Sequence, residues 1–145
     1  MQRPFFNGRE KDMKKNYLVV RTRSAVTRLE REEIVYVLKD ERRLIVVTQE
    51  KEYVYNATMD AVEEVADSSY YRPLDRCYVN LSYLKSVDTE RRRLIFMNGD
   101  ELFLGRDACA KMKKIFYSYL IHNGLDGGEL GDVPEIAAEE ESAYK

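Results

Sequence analysis

Short runs of apolar and β-branched residues, separated by charged or glycine-bearing breaks, dominate this chain from Tyr17 to Leu104. Tyr17 to Thr22 (YLVVRT), Ile34 to Leu38 (IVYVL) and Leu44 to Thr48 (LIVVT) read as strands, because branched and aromatic side chains fit a pleated, buried surface. The charged stretch Lys39 to Arg43 joins the second strand to the third. The polar Gln49 to Lys51 then leads to Glu52 to Asn56 (EYVYN), which alternates in the manner of a half-buried strand. After it the period changes. Thr58 to Ala66 places Met59, Val62 and Val65 on one helical face, with Asn56 or Thr58 as N-cap. Asp60 falls in the first turn, where the helix dipole favours a negative charge. This helix is expected to pack over one end of the sheet.

Strands resume with Cys77 to Leu81 (CYVNL), Leu84 to Val87 (LKSV), Arg93 to Met97 (RLIFM) and Glu101 to Leu104 (ELFL). Asn98-Gly99 between the last two predicts a tight hairpin, since both residues accept positive φ. Asp107 is a candidate cap for a second helix running to about Ile121 and ended by Gly124. Met112, Ile115, Phe116, Tyr119 and Leu120 form its apolar stripe. Many short strands without alternating crossover helices predict a mostly β, antiparallel domain with one short internal helix and a C-terminal helix.

Composition divides the chain further. The polar residues 1–15 read as a leader, 16–122 as one folded domain, and 123–145, rich in glycine and acids, as a disordered tail. The net charge of −2 conceals an asymmetry: from Asn123 onward seven acids stand against one base, whereas the rest of the chain holds 19 acids and 23 bases. A mildly basic body permits contact with a polyanion, and the acidic tail is a candidate competitor for the same face. No run approaches the ~18 apolar residues of a membrane-spanning helix, and the first residues lack a signal-peptide core. A cytoplasmic location without a membrane partner is therefore expected.

Catalytic chemistry has little to stand on. Cys77 and Cys109 lack metal-ligand spacing, and the single histidine, His122, falls at a helix end. Both cysteines read as buried thiols. No nucleophile–base pair, phosphate loop or zinc-protease motif occurs. The expectation is a protein that is not an enzyme, with no cofactor, no metal and no small-molecule substrate.

One set of segments points to a family. Glu33-Ile34-Val35-Tyr36-Val37, then Tyr70-Tyr71-Arg72-Pro73-Leu74-Asp75-Arg76-Cys77-Tyr78-Val79-Asn80-Leu81, follow in order along the chain. Tyr83 to Val87, the Asn98-Gly99 hairpin and Leu102-Phe103-Leu104-Gly105-Arg106 complete the series. In order and spacing these resemble the LytTR family, the mostly β DNA-binding domain of bacterial response regulators, from about Tyr17 to Leu120. The resemblance implies loops on one side of a β-domain entering successive grooves of double-stranded DNA, typically as a pair of domains on direct repeats. Three loops then face DNA. Lys39 to Arg43 offers Arg42 to a base, with Lys39 and Arg43 on phosphate. Leu74 to Arg76 forms the second loop. Arg106 stands at the strand-to-helix junction, where helix amides add an anion site.

This chain departs from the family pattern in the second loop. Leu74, Asp75 and Arg76 stand where His, then Arg or Lys, then Ser are usual. Asp75 brings a carboxylate to a polyanion surface, with cytosine N4 as a donor it can accept from; Leu74 suits a thymine methyl; Arg76 restores positive charge one residue later. Asn80 is expected to tie loop backbone together rather than read a base. Arg91, Arg92 and Arg93 are expected as a solvated turn more than a phosphate clamp. The reading favoured by these residues is a homodimeric bacterial transcription regulator without a receiver domain. Its rival is a protein-interaction or dimerisation module on the same scaffold that has lost strong DNA binding.

Overall fold

In a computed structural model, which describes residues 15–123, the two most apolar runs lie in the middle of a sheet covered on both faces. The strands are β1 (Tyr17–Arg21), β2 (Val26–Glu30), β3 (Ile34–Asp40), β4 (Arg43–Thr48), β5 (Glu52–Asn56), β6 (Tyr70–Leu74), β7 (Cys77–Asn80), β8 (Leu84–Asp88), β9 (Arg93–Phe96) and β10 (Glu101–Phe103). Helix α1 (Met59–Val65) follows β5, and α2 (Arg106–Asn123) follows β10. All pairings are antiparallel. The central sheet runs β5-β4-β3-β7-β6, with a two-stranded sheet of β1 and β2 and a three-stranded sheet ordered β10-β9-β8. The expected leader (except Lys15), the tail from 124 onward and Gly124 lie outside the described residues.

Burial explains the sequence pattern. In β4, Leu44 and Val46 face a core shared with Leu18, Val20 and Leu29 of the small sheet and Met59, Val62 and Val65 of α1. Ile45 and Val47 face the opposite core, with Leu84, Leu94 and Phe96 of the three-stranded sheet and Cys109, Met112 and Phe116 of α2. A strand buried on both sides needs apolar residues at nearly every position. The edge strand β5 turns only Tyr53 and Tyr55 inward and leaves Val54 exposed, hence its alternation.

A bulge breaks the alternation of β3. Its register shifts between Ile34 and Tyr36, so Val35 and Tyr36 both join the α2-side core while Ile34 and Val37 join the other. Tyr36 stacks at 4.9 Å on Phe96, and its hydroxyl donates to Asp100 Oδ2 at 2.9 Å, which fixes the β9–β10 hairpin to the central sheet. Beyond the last β3–β7 pair, the Asn80 side chain takes over. It is only 2% exposed; its Nδ2 donates to the Ile34 carbonyl at 2.8 Å, and its Oδ1 accepts from Ser82 N and Oγ. Asn80 thus ties backbone together, as expected.

Several local expectations are corrected. Strand β2 has no counterpart in the sequence reading, since only Leu29 of VTRLE is buried. Tyr70–Leu74 forms a strand despite Pro73, because β6 is a sheet edge where a missing N–H is tolerated, and a register shift separates Tyr71 from Leu74. Only Gly99 of the Asn98-Gly99 pair takes positive φ (+96°). Its N–H donates to the Phe96 carbonyl, and Phe96 N donates to the Asp100 carbonyl, so a three-residue loop closes the hairpin. Thr58 occupies the N-cap of α1 without a side-chain cap bond. Helix α2 begins at Arg106, putting Asp107 inside its first turn, and Leu120 is exposed rather than part of the buried stripe.

Two stability predictions follow from this packing. Asn80→Ala leaves the buried Ile34 carbonyl unpaired and should cost about 2–3 kcal/mol in urea unfolding; an unchanged midpoint would show that the amide bonds are dispensable. Burial pushes the Cys77 thiol up to about 12. The native state thus favours the protonated thiol, and stability should fall as pH rises from the unfolded thiol range of about 8.5 toward 12. At pH 8 iodoacetamide should alkylate Cys77 only as fast as the protein unfolds; rapid labelling of native protein would contradict its burial.

Candidate nucleic-acid interface

The β3–β4 hairpin turns on Glu41 and Arg42 alone. Lys39 and Asp40 belong to β3 and Arg43 to β4, so the expected five-residue loop is a two-residue turn. The Asp40–Arg43 pair closes the ladder and is reinforced by a 3.2 Å ion pair between its side chains. Glu41 adopts φ +58°, a left-handed conformation that costs a side-chain-bearing residue energy and is sustained by the tight turn. Lys39 Nζ donates to the Ala57 carbonyl at 2.9 Å, and Ala57 N donates to the Arg42 carbonyl at 3.2 Å. The Arg42 side chain itself is exposed and, among the described residues, has no partner.

The second tip is the Asp75-Arg76 turn between β6 and β7, closed by the Leu74–Cys77 pair. The Arg72 guanidinium lies 5.2 Å above the Tyr78 ring and donates twice to the Asp75 carbonyl, at 3.3 and 2.8 Å. That clamp fixes the turn backbone and leaves the exposed Asp75 carboxylate without a partner among the described residues. Arg76 sits against the first tip: Lys39 N donates to its carbonyl at 2.9 Å, and Arg76 Nε donates to the Lys39 carbonyl at 3.2 Å.

The third element is the junction of β10 and α2. Cys109 N donates to the Gly105 carbonyl at 2.9 Å to open the helix, and Arg106 is its exposed first residue. Arg106 pairs with neither Asp107 nor Glu101; Glu101 is taken by Arg93 at 3.1 Å. The neighbouring Arg91-Arg92 turn is built on Asp88, whose carboxylate accepts from Arg91 N, Glu90 N and the Arg93 guanidinium. These bonds, that from Arg91 N foremost, hold the Asp88 carboxyl below the usual carboxylate range. Arg92 has φ +54°, and its carbonyl accepts from Leu104 N at 3.0 Å, which brings this basic turn beside the strand end that leads to Arg106.

The three elements meet. A shallow groove of about 450 Å³ is lined by Lys39, Asp40, Leu74, Arg76, Phe103 and Leu104, among others. It joins the end of β3, the β6–β7 turn and the end of β10. Arg42 is two residues past Asp40 on the first tip, and Arg106 two residues past Leu104 on the third. Phe103, which the sequence places in the last strand but does not mark as a site residue, is 68% exposed in this groove. Alternation in ELFL carries the signal: Leu102 and Leu104 turn inward, so Phe103 turns out.

No group of three or more His, Cys, Asp or Glu among the described residues is arranged to hold a metal ion. Nor is any described helix long and apolar enough to cross a membrane.

No curated protein matches the chain in sequence. Among solved structures, the fold is similar to the LytTr DNA-binding domain of a Bacillus cereus protein described as a methyl-accepting/DNA response regulator. That likeness has a TM-score of 0.59 at 16% identity and covers 70% of this chain and 96% of the other. At that identity it establishes the fold alone. The family model of the LytTr DNA-binding domain matches residues 24–117, from the approach to β2 to the last turns of α2. The family is one of DNA binding rather than catalysis, and this chain belongs to it.

Proposed function

We propose that this protein is a bacterial transcription regulator acting in the cytoplasm, and that it binds double-stranded DNA sequence-selectively through the end of the β-domain around the groove. The observation that carries this reading is the convergence of cation-bearing segments from three distant parts of the chain, at residues 39–43, 74–76 and 104–106. Two of their arginines, Arg42 and Arg106, have no partner among the described residues. A guanidinium held ready at a tight turn suits a guanine edge, which presents two acceptors, and a phosphate equally well. Arg42 takes the base-reading role in this scheme. Arg76 and Lys39 hold the backbone on either side of the groove floor, and Arg43, already paired with Asp40, supports the phosphate track. Arg106 combines its charge with the free N–H groups of an 18-residue helix. Two such domains on a direct repeat complete the site.

Asp75 tunes this surface in the opposite sense. Its exposed carboxylate repels phosphates generally and accepts a hydrogen bond only from a donor such as cytosine N4, trading non-specific affinity for selectivity.

Selection from a pool of random duplexes, followed by salt titration of the enriched site, tests the proposal. An enriched motif whose affinity falls steeply with salt is expected. Arg42→Ala and Arg106→Ala should each weaken binding by about 1–3 kcal/mol, with loss of preference at the contacted position. Unchanged affinity and preference in both variants would remove these residues from the interface. Asp75→Asn should raise affinity for non-specific duplex by about 5-fold at low salt, the scale of one like-charge interaction at contact distance through bulk water. A loss of affinity for all duplexes would show that the carboxylate is a contact rather than a repulsive filter.

A further inference from the structure

We infer that Leu74 and Phe103 form an apolar reading head for thymine methyl groups, making this protein selective for A·T pairs at the centre of its contact. The inference rests on the proposed duplex-binding end of the domain and names what the groove itself recognises.

Both side chains are far more exposed than their chemistry favours, Leu74 at 46% and Phe103 at 68%, and both line the same groove. Neither is a loose loop residue. Leu74 is the last residue of β6, paired with Cys77 and followed by the turn that Arg72 clamps. Phe103 is the last residue of β10, paired with Arg93, whose guanidinium is itself held by Asp88 and Glu101. Two apolar groups are thus presented on rigid strand ends, so little conformational entropy is lost on contact. The surround is polar and basic: Arg76 lines the groove beside Lys39, whose ammonium is tied to the Ala57 carbonyl, and Arg42 and Arg106 extend the two tips that flank it.

An apolar floor between cations fits a duplex in one specific way. Phosphates offer Leu74 and Phe103 no apolar contact, and among the donors and acceptors of the major-groove base edges the C5-methyl of thymine is the one methyl group. Cations on the rim fix the backbone on either side while the apolar pair covers that methyl and removes it from water. Asp40, which also lines the groove, is neutralised by Arg43 and does not oppose the approach.

The test compares the duplex enriched from a random pool with the same duplex carrying deoxyuridine in place of thymine, which deletes the methyl and nothing else. For the unaltered protein, each contacted methyl should be worth about 4-fold in affinity, the value of one buried apolar carbon. Leu74→Ser and Phe103→Ser, both at exposed positions, should fold normally by circular dichroism, bind the thymine duplex more weakly and lose discrimination against deoxyuridine. A selective complex indifferent to the methyl overturns the inference alone, because Phe103 then acts as a minor-groove wedge or not at all. So does an enriched site made only of G·C pairs. Variants that bind DNA unchanged but shift from dimer to monomer in sedimentation overturn it in favour of a second copy of the chain as occupant. Failure to form any sequence-selective complex overturns the DNA-binding proposal and this inference together.

Discussion

The central sheet has to satisfy two cores at once, and one irregularity in β3 makes this work. By spending one extra residue at Val35–Tyr36, the strand sends two consecutive side chains to the α2 side and resumes alternation from Val37. The bulge leaves the Ile34 carbonyl past the end of the β3–β7 ladder, where Asn80 completes its hydrogen bonding from within the core. A buried amide hydrogen-bonded through both its nitrogen and its oxygen is specific as well as stabilising, because a shift of register by one residue would leave both it and the carbonyl unpaired. Tyr36, turned by the same bulge, reaches the β9–β10 hairpin through Asp100 and so relates the second sheet to the first.

The exposed end of the domain inherits its geometry from that register. With β3 and β7 adjacent and in fixed alignment, the β3–β4 and β6–β7 turns have to lie side by side, and Arg76 and Lys39 exchange backbone and guanidinium hydrogen bonds there. The β9–β10 hairpin, anchored by Tyr36 and packed beneath, brings the end of β10 to the same place. A surface assembled this way is stiff, with cations and apolar groups carried on strand ends and two-residue turns, so binding orders little that is not already ordered.

Much of this was legible in the residues, for identifiable reasons. Strands buried on both faces announce themselves as unbroken apolar runs, which is why β3, β4 and β7 stand out, and α1 is marked by Met59, Val62 and Val65 at helical spacing. Strand β2 was not legible, since a strand burying only Leu29 leaves almost no hydrophobic trace, and neither was β6, where Pro73 argues against a strand until its edge position is known. The length of the charged turn was overestimated because Lys39 and Arg43 look like loop residues, whereas one anchors to Ala57 and the other pairs with Asp40. The groove was hidden altogether. Its lining comes from β3, β6 and β10, and only the packing of the two sheets brings Leu74 and Phe103 together.

The most direct test of the central claim is to map the contact surface by NMR, recording backbone amide shifts of the labelled protein as a duplex carrying its selected site is added. Shifts concentrated at Glu41–Arg42, Asp75–Arg76 and Phe103–Asp107, with α1 and the β1–β2 sheet undisturbed, are the result this structure predicts. Shifts centred on α1 or on β1 and β2, with the groove residues unmoved, would contradict it.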